Sequence, residues 1–287
     1  MTTVSPKKLL NSLVENVEMQ ITKPNSNHQL LLENLNKNKI PKGQYILSIV
    51  IPMFNEEETI GNILERLPKH DKIEIIVVDD CSTDNSLKKI HACNHKEHIK
   101  VISHHKNRGY GGALLTGIKN SRGKIILTMD SDGQHRPEDI YSLIKPILNK
   151  EADYTIGSRY KGTYFYNLPV TTRIGEAMIE KLIRIFFGPI VSNNQNGFRA
   201  FDRKMMHIFN DIKYQGFAFA TELILKAAIF KYRIKECPIT LLDRAHGNSK
   251  IKLRALTMNL FSCLIRYFLK KLRMHLFGHQ KPYQNVF

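Results

Sequence analysis

Lys124-Ile125-Ile126-Leu127-Thr128-Met129-Asp130-Ser131-Asp132-Gly133-Gln134 is an apolar run that ends in two carboxylates one residue apart. The run has strand length and no polar alternation, which predicts a strand buried on both faces, the signature of a parallel sheet covered by helices. Ligands of such sheets bind beyond the carboxyl ends of the strands. Two aspartates leaving a strand there can turn toward one hard cation, Mg2+ or Mn2+, which takes oxygen ligands and bridges protein carboxylates to phosphate oxygens.

The same pattern repeats on both sides of this stretch. Ile46 to Ile51 and Ile73 to Val78 read as buried strands around an amphipathic segment, Glu57 to Leu67. Short strands are predicted at Lys100 to Ile102 and Tyr154 to Ile156, with helices at Gly112 to Lys119 and Glu138 to Asn149. Strands alternating with helices imply a mostly parallel, right-handed α/β sheet. Beyond Arg159 the chain turns helical. Val170 to Phe187 would place Ile174, Met178, Leu182 and Ile185 on one side and Arg173, Glu176, Glu180 and Arg184 on the other. A helix at Phe219 to Phe230 and a strand at Ile234 to Thr240 follow. The last helix, Lys252 to Phe277, would place Leu256, Leu260, Leu264 and Phe268 on one face and Arg266, Lys270 and Arg273 on the other. Three segments result: 1–44, an appended helical or partly ordered extension; 45–250, the catalytic α/β domain; and 251–287, a basic amphipathic helix and tail.

Two further polar loops follow predicted strands. Pro52-Met53-Phe54-Asn55-Glu56 follows the first and Asp79-Asp80-Cys81-Ser82-Thr83-Asp84 the second. Their carboxylates can accept hydrogen bonds from a base or a ribose, and Ser82, Thr83 and Asp84 also suit helix capping. Asn107-Arg108-Gly109-Tyr110-Gly111-Gly112-Ala113 brings three glycines to a helix start, which serves either close approach of backbone to a ligand or tight helix packing.

Composition limits the partners. The chain has 287 residues, 42% of them hydrophobic, and a net charge of +17. From Arg244 to the end stand nine Lys or Arg and no Asp or Glu, so over half of the excess charge is carboxyl-terminal. Such a field favours anionic partners. Binding to nucleic acid would leave the polar strand-end loops without a role, so nucleic acid is not expected as the partner. Cys81, Cys93, Cys237 and Cys263 lack metal-ligand spacing and read as free thiols of a reducing cytosol. No cleavable leader and no stretch of about 20 apolar residues is expected.

In order and register these loops resemble the family 2 glycosyltransferases with the GT-A fold, and within them the dolichol-phosphate mannose synthase and polyprenyl-phosphate glycosyltransferase branch. The resemblance spans Leu47 to Lys250. It is carried by P-x-F-N-E at Pro52, V-V-D-D-x-S-x-D at Val77, N-x-G-x-x-x-A at Asn107, D-x-D-x-Q-H at Asp130 and Gly157-Ser158-Arg159. It continues in Asn196-Gly197-Phe198-Arg199, Phe219-Ala220-Thr221-Glu222 and Arg244-Ala245-His246-Gly247-Asn248-Ser249-Lys250. The resemblance implies a Rossmann-like GT-A sheet. It places Pro52, Phe54, Asn55, Glu56, Asp79, Asp80, Asn107, Gly109, Ala113, Asp130 and Ser131 on a nucleotide diphosphate sugar, GDP-mannose or a UDP-hexose. Asp130, Asp132 and Gln134 would hold the metal, with Asp132 bordering the sugar. Arg159, Arg173, Arg199, Arg244 and Lys250 would face donor and acceptor phosphates.

The chemistry implied is an inverting transfer of a hexose, mannose first, to a dolichyl or undecaprenyl phosphate. Negative charge builds on the departing nucleoside diphosphate, and a cation with Arg and Lys can stabilise it. A saccharide or glycolipid hydroxyl, the alternative acceptor, would need a general base, and Glu222 is the carboxylate nominated for it. The amphipathic helices and basic carboxyl end suggest a peripheral enzyme on the cytosolic face of a membrane, docking by itself or through an integral membrane partner. The stretch Asn193-Asn194-Gln195-Asn196 departs from the mannose synthases, in which an acid commonly precedes Gly-Phe-Arg.

Overall fold

The computed structural model describes residues 26–41, 43–93, 98–164, 170–216, 218–243 and 253–276. The expected helical pattern around Leu9 to Val17, and both Arg244 and Lys250, lie outside the described residues.

The elements are α1 (Ser26–Lys37), β1 (Leu47–Met53), α2 (Ile60–Arg66), β2 (Ile73–Asp79), α3 (Ser86–His91), β3 (Ile99–Ser103), α4 (Tyr110–Lys119) and β4 (Ile125–Thr128). There follow α5 (Ile140–Leu148), β5 (Tyr154–Tyr164), α6 (Val170–Phe187), β6 (Arg199–Asp202), α7 (Ala218–Ile229), β7 (Ile234–Leu241) and α8 (Leu253–Leu276). Short 3-10 turns at Pro137–Asp139 and Arg203–Phe209 lead into α5 and out of β6.

One seven-stranded sheet runs in the order β3-β2-β1-β4-β6-β5-β7. β3, β2, β1 and β4 are parallel, β6 is antiparallel to both its neighbours, and β7 is parallel to β5. The α/β, mostly parallel sheet flanked by helices is thus as expected. β6 is the strand that the sequence reading lacked, as α3 is the helix. β6 is four residues long, with a charged residue at each end, and its pairing depends on neighbours brought in from far along the chain.

Every residue of β1, β2 and β4 is buried, because helices cover both faces. Alternation divides β1 between two cores. Ile49 and Ile51 join α2 and α5 on one side, and Val50 joins α4, α6, α7 and α8 on the other. α1 adds Leu31 and Leu35, both fully buried, to the first core. Gly117 lets α4 lie directly on the sheet, since a Cβ there would collide with Val50 and come within 3.1 Å of Val78.

The amphipathic helices are where expected, and packing decides which apolar side chains are covered. α6 buries Ile179, Ile183 and Phe187, whereas Ile174, Met178 and Ile185 face outward. The helix carries two apolar stripes, so its periodicity alone does not say which one meets the protein. α8 buries Leu260 and Leu264 as expected, with Cys263 and Tyr267. Phe268 instead lies outside, edge-on to Phe186 at 4.9 Å between ring centroids.

Candidate functional site

The chain runs from β1 to β2 to β3 in one direction and then returns to place β4 on the other side of β1. A crevice opens at such a reversal, at the carboxyl ends of the two central strands. The loops after β1, β2 and β4 all meet there.

The first two loops are joined to each other. Asn55, held at a φ of 57°, donates its backbone N–H to Ser82 Oγ at 3.0 Å and accepts from Thr83 N at 2.8 Å through its side-chain oxygen. Glu56 N donates to Ser86 Oγ at 2.8 Å, and Glu57 N donates to Asp84 at 3.1 Å. Asp84 is thereby held below the usual carboxylate range: its burial raises the pKa, but the hydrogen bonds from Ser86 and Glu57 prevail. Asp79 accepts from Ser82 N at 3.0 Å. Phe54, only partly buried, sits at this rim, and Pro52 contributes its carbonyl to Ser131 Oγ at 2.8 Å.

Asp80 occupies a different position from the one expected of a nucleotide contact. It is buried, and its two oxygens accept from Arg108 N and Gly109 N, each at 2.8 Å, while His104 Nδ1 lies 2.7 Å away. His104 in turn reaches Thr116 on α4 at 2.9 Å. Asp80 therefore fixes the glycine-rich loop. Asn107 adds a bond to the Asp80 carbonyl at 3.3 Å, and Ala113 is buried in the core. Gly111 N donates to Gln215 O at 2.7 Å, and a Cβ on Gly111 would run into that backbone. Packing is thus the role of Gly111, and the N–H groups of 108, 109 and 111 have protein acceptors. Gly109, at a φ of 78°, makes the turn into α4.

The third loop carries the paired acids. Asp130 accepts from Tyr110 Oη at 2.7 Å, and its other oxygen lies 3.7 Å from His135 Nδ1. Burial, with Asp132 adding to it, pushes the Asp130 carboxyl above the usual range against the pull of His135, Tyr110 and Arg199. Ser131 is a clamp: its hydroxyl holds β1 and its carbonyl accepts from Thr59 Oγ1 at 2.6 Å. Asp132 accepts from Gln134 N at 3.1 Å. Gln134 donates its amide nitrogen to Leu242 O at 3.2 Å, which leaves the carbonyl oxygen as the atom a hard cation would take. His135 stacks on Phe198 at 5.0 Å.

This arrangement fits a divalent cation. Gly197 backs the Asp130 carboxylate so closely that a Cβ would overlap both Asp130 oxygens and Tyr110 Oη, so the space beside the carboxylate exists because residue 197 has no side chain. Among the described residues no group of three or more His, Cys, Asp or Glu forms a metal cage. Two carboxylates and an amide oxygen make the incomplete oxygen set from which a cation completes its shell with water and phosphate. Tyr110 and Gly197 were not picked out from the sequence as ligand-site residues, because each acts through a contact made only in the fold.

On the other side of β4, register brings Arg159 to the same edge. Thr128 and Ile156 both pair with Arg199, so Asp130 and Arg159 lie two and three residues beyond that level on parallel strands, roughly 10 Å apart across β6. Arg159 is held by Glu176 of α6, with Nη2 at 2.7 and 2.8 Å from the two carboxylate oxygens. Arg173 is exposed and stacks over the Tyr160 ring at 5.1 Å.

Two expected site residues are elsewhere. Arg199 is buried, and its guanidinium donates to the carbonyls of Asn194 (2.6 Å), Asn196 (2.5 Å) and Ala220 (2.9 Å) and to Tyr154 Oη. It ties β6 to α7 instead of facing a phosphate. Glu222 is wholly buried; it accepts from Lys213 N at 3.0 Å, Tyr214 N at 2.9 Å and the Tyr267 hydroxyl of α8. Its carboxylate braces α7, α8 and the preceding loop and has no face on the crevice.

The sequence model of Glycosyl transferase family 2 matches residues 48–209. An uncharacterized protein of Methanocaldococcus jannaschii is 36% identical over 223 residues, 76% of this chain and 89% of its own length. A UDP-N-acetylglucosamine–dolichyl-phosphate N-acetylglucosaminyltransferase of Methanococcus voltae is 32% identical, covering 68% of this chain and 84% of its own. A dolichol-phosphate mannosyltransferase of Pyrococcus furiosus is also 32% identical, over 72% of this chain and 59% of its own. In fold the chain is similar to glucosyl-3-phosphoglycerate synthase of Mycobacterium tuberculosis, solved with Mn2+, UDP and phosphoglyceric acid. The TM-score is 0.60 at 22% identity, covering 79% of each chain.

Proposed function

Since the chain belongs to glycosyl transferase family 2 and is a glycosyltransferase, we propose that it moves one sugar from a nucleoside diphosphate donor to a polyprenyl phosphate, dolichyl or undecaprenyl, at a cytosolic membrane face. The observation that carries this reading is the pairing, at one sheet edge, of the Asp130–Asp132 carboxylates with Arg159. A cation site for a diphosphate stands beside an arginine suited to a second phosphate.

The donor lies over the joined loops after β1 and β2, with its diphosphate toward Asp130, Asp132 and Gln134. When bound there, Mg2+ or Mn2+ supplies charge neutralisation to the departing nucleoside diphosphate. Tyr110 orients Asp130, and Asp132 borders the sugar. The acceptor phosphate approaches from the Arg159 side and attacks the anomeric carbon from the face opposite the leaving group, which inverts that centre. Arg173, exposed on α6, adds to this cationic flank. A phosphate acceptor arrives already ionised. The burial of Glu222, the one carboxylate nominated as a base, favours such an acceptor over a saccharide or glycolipid hydroxyl.

The acceptor is a membrane lipid, and the carboxyl-terminal face is suited to its surface. α6 exposes Ile174, Met178 and Ile185, and α8 exposes Ile265, Leu269 and Leu272 beside Arg266, Lys270 and Arg273. Apolar side chains rimmed by cations bind an anionic interface. Among the described residues no helix is long and apolar enough to cross a membrane. Docking is therefore peripheral, by this face alone or with an integral partner.

Mannose from GDP-mannose is the first donor to test, with UDP-glucose and UDP-N-acetylglucosamine beside it. Radiolabelled donors and Mn2+ are incubated with vesicles containing polyprenyl phosphate, and the organic extract is counted. Label in acid-labile lipid from one donor is the expected result. Label confined to water-soluble products, or none from any donor, would overturn the reading.

A further inference from the structure

The contact between Arg159 and Glu176 has a chemical meaning beyond holding α6 to β5. The two side chains are 9% and 14% exposed, so the pair is largely shielded from water. Tyr160 also donates its hydroxyl to Glu176, and the Tyr160 ring lies under two guanidiniums, those of Arg159 and Arg173, each 5.1 Å from its centroid. A carboxylate is thus delivered from a helix onto Arg159, the arginine assigned above to the acceptor's phosphate. Carboxylate and phosphate are the two anions that match a guanidinium fork, and they compete for it.

We propose that Glu176 is an acceptor-specificity residue, an internal anion seated where the acceptor's phosphate binds, which only a doubly charged terminal phosphate displaces. This rests on the reading of the acceptor as a lipid phosphate. A phosphate monoester carries close to two negative charges near neutral pH and three acceptor oxygens, against one charge and two oxygens on Glu176. It can take Arg159 from the carboxylate. A neutral hydroxyl, a carboxylic acid or a phosphodiester offers no more charge than Glu176 already does and leaves the pair closed. Rejection of such molecules by an occupied site is specificity by competition.

The test uses two soluble probes with the same ten-carbon chain, citronellyl phosphate and citronellic acid, titrated calorimetrically into the full chain. The wild type should bind the phosphate at least about tenfold more tightly than the carboxylate. Glu176→Gln should tighten both and the carboxylate more, narrowing the ratio by about tenfold. Tyr160→Phe, which removes the hydroxyl's bonds to Glu176 and to Arg159 (3.3 Å) and keeps the ion pair, should move both affinities the same way by a smaller factor, and it decides the matter if Glu176→Gln does not fold. Equal phosphate binding by wild type and variants, or weaker binding by the variants, would overturn the role of Glu176 and leave the lipid-phosphate acceptor standing. Absence of phosphate binding by wild type and variants alike would overturn both.

Discussion

The crevice has two flanks built on different principles. On the donor flank the loops after β1, β2 and β4 are sewn together by their own polar side chains, and acids such as Asp79 and Asp80 hold backbone N–H groups in place. The proposed acceptor flank is held, among the described residues, by contacts between side chains of β5 and α6. Its cation is held by one carboxylate from α6, and the helices that support it present apolar side chains outward. Donor binding is therefore expected to meet a preformed surface, and acceptor binding to rearrange an ion pair and engage a membrane.

The sharpest way to break this contrast is to damage the donor flank without unfolding it. Asp130→Asn should lower kcat about 10³-fold or more while the melting temperature of the metal-free protein stays equal or rises, because the ionised carboxylate is disfavoured where it sits. Rates and melting curves together check this. If turnover survived, the cation site would be elsewhere. Next in size, Glu222→Ala should cost about 3 kcal/mol in urea denaturation, because Lys213 N, Tyr214 N and Tyr267 Oη lose a shared acceptor inside the protein. Residual activity should follow the folded fraction. A stable variant with no turnover would restore Glu222 as a base.

On the acceptor flank, Ile185→Ser with Leu269→Ser should weaken binding to anionic vesicles by about tenfold while stability changes by less than about 1 kcal/mol, since both side chains are exposed. Cosedimentation measures it, and unchanged partitioning would move the membrane face elsewhere. The smallest effect concerns Asp153, remote from both flanks, whose hydrogen bonds from Arg233 and Lys204 hold it well below the usual carboxylate range. A depressed carboxylate contributes stability that is complete above the unfolded-state pKa and lost as pH falls through the folded one. Asp153→Asn should thus show a stability deficit of about 1 kcal/mol that is constant above about pH 5 and narrows as pH is lowered from about 4 toward 2, read from denaturation midpoints.

Legibility followed the same division. β1, β2 and β4 could be read because central parallel strands are continuous apolar runs, and the position of the acids just beyond them followed from the strands. Where a polar side chain is buried, its partners are backbone atoms from distant segments, and no local pattern reveals them. Asp80 was expected to face a nucleotide and holds residues 108 and 109; Arg199 was expected to face a phosphate and holds three carbonyls. α6 differs: it has two apolar stripes, and only its neighbours decide which is inside. Glu176 read as one more charge on the polar side, and its contact with Arg159 exists only once β5 and α6 meet.

α1 repays a last look. Leu31 and Leu35 are wedged against α5, Asn34 reaches Tyr141 Oη at 2.9 Å, and Lys72 ties down Leu35 O at 2.8 Å. Shortening the gene to begin at Tyr45 would strip this cap and leave a sticky seam on the underside of the molecule, inviting clumping during expression. A start just ahead of Ser26 keeps the seam covered.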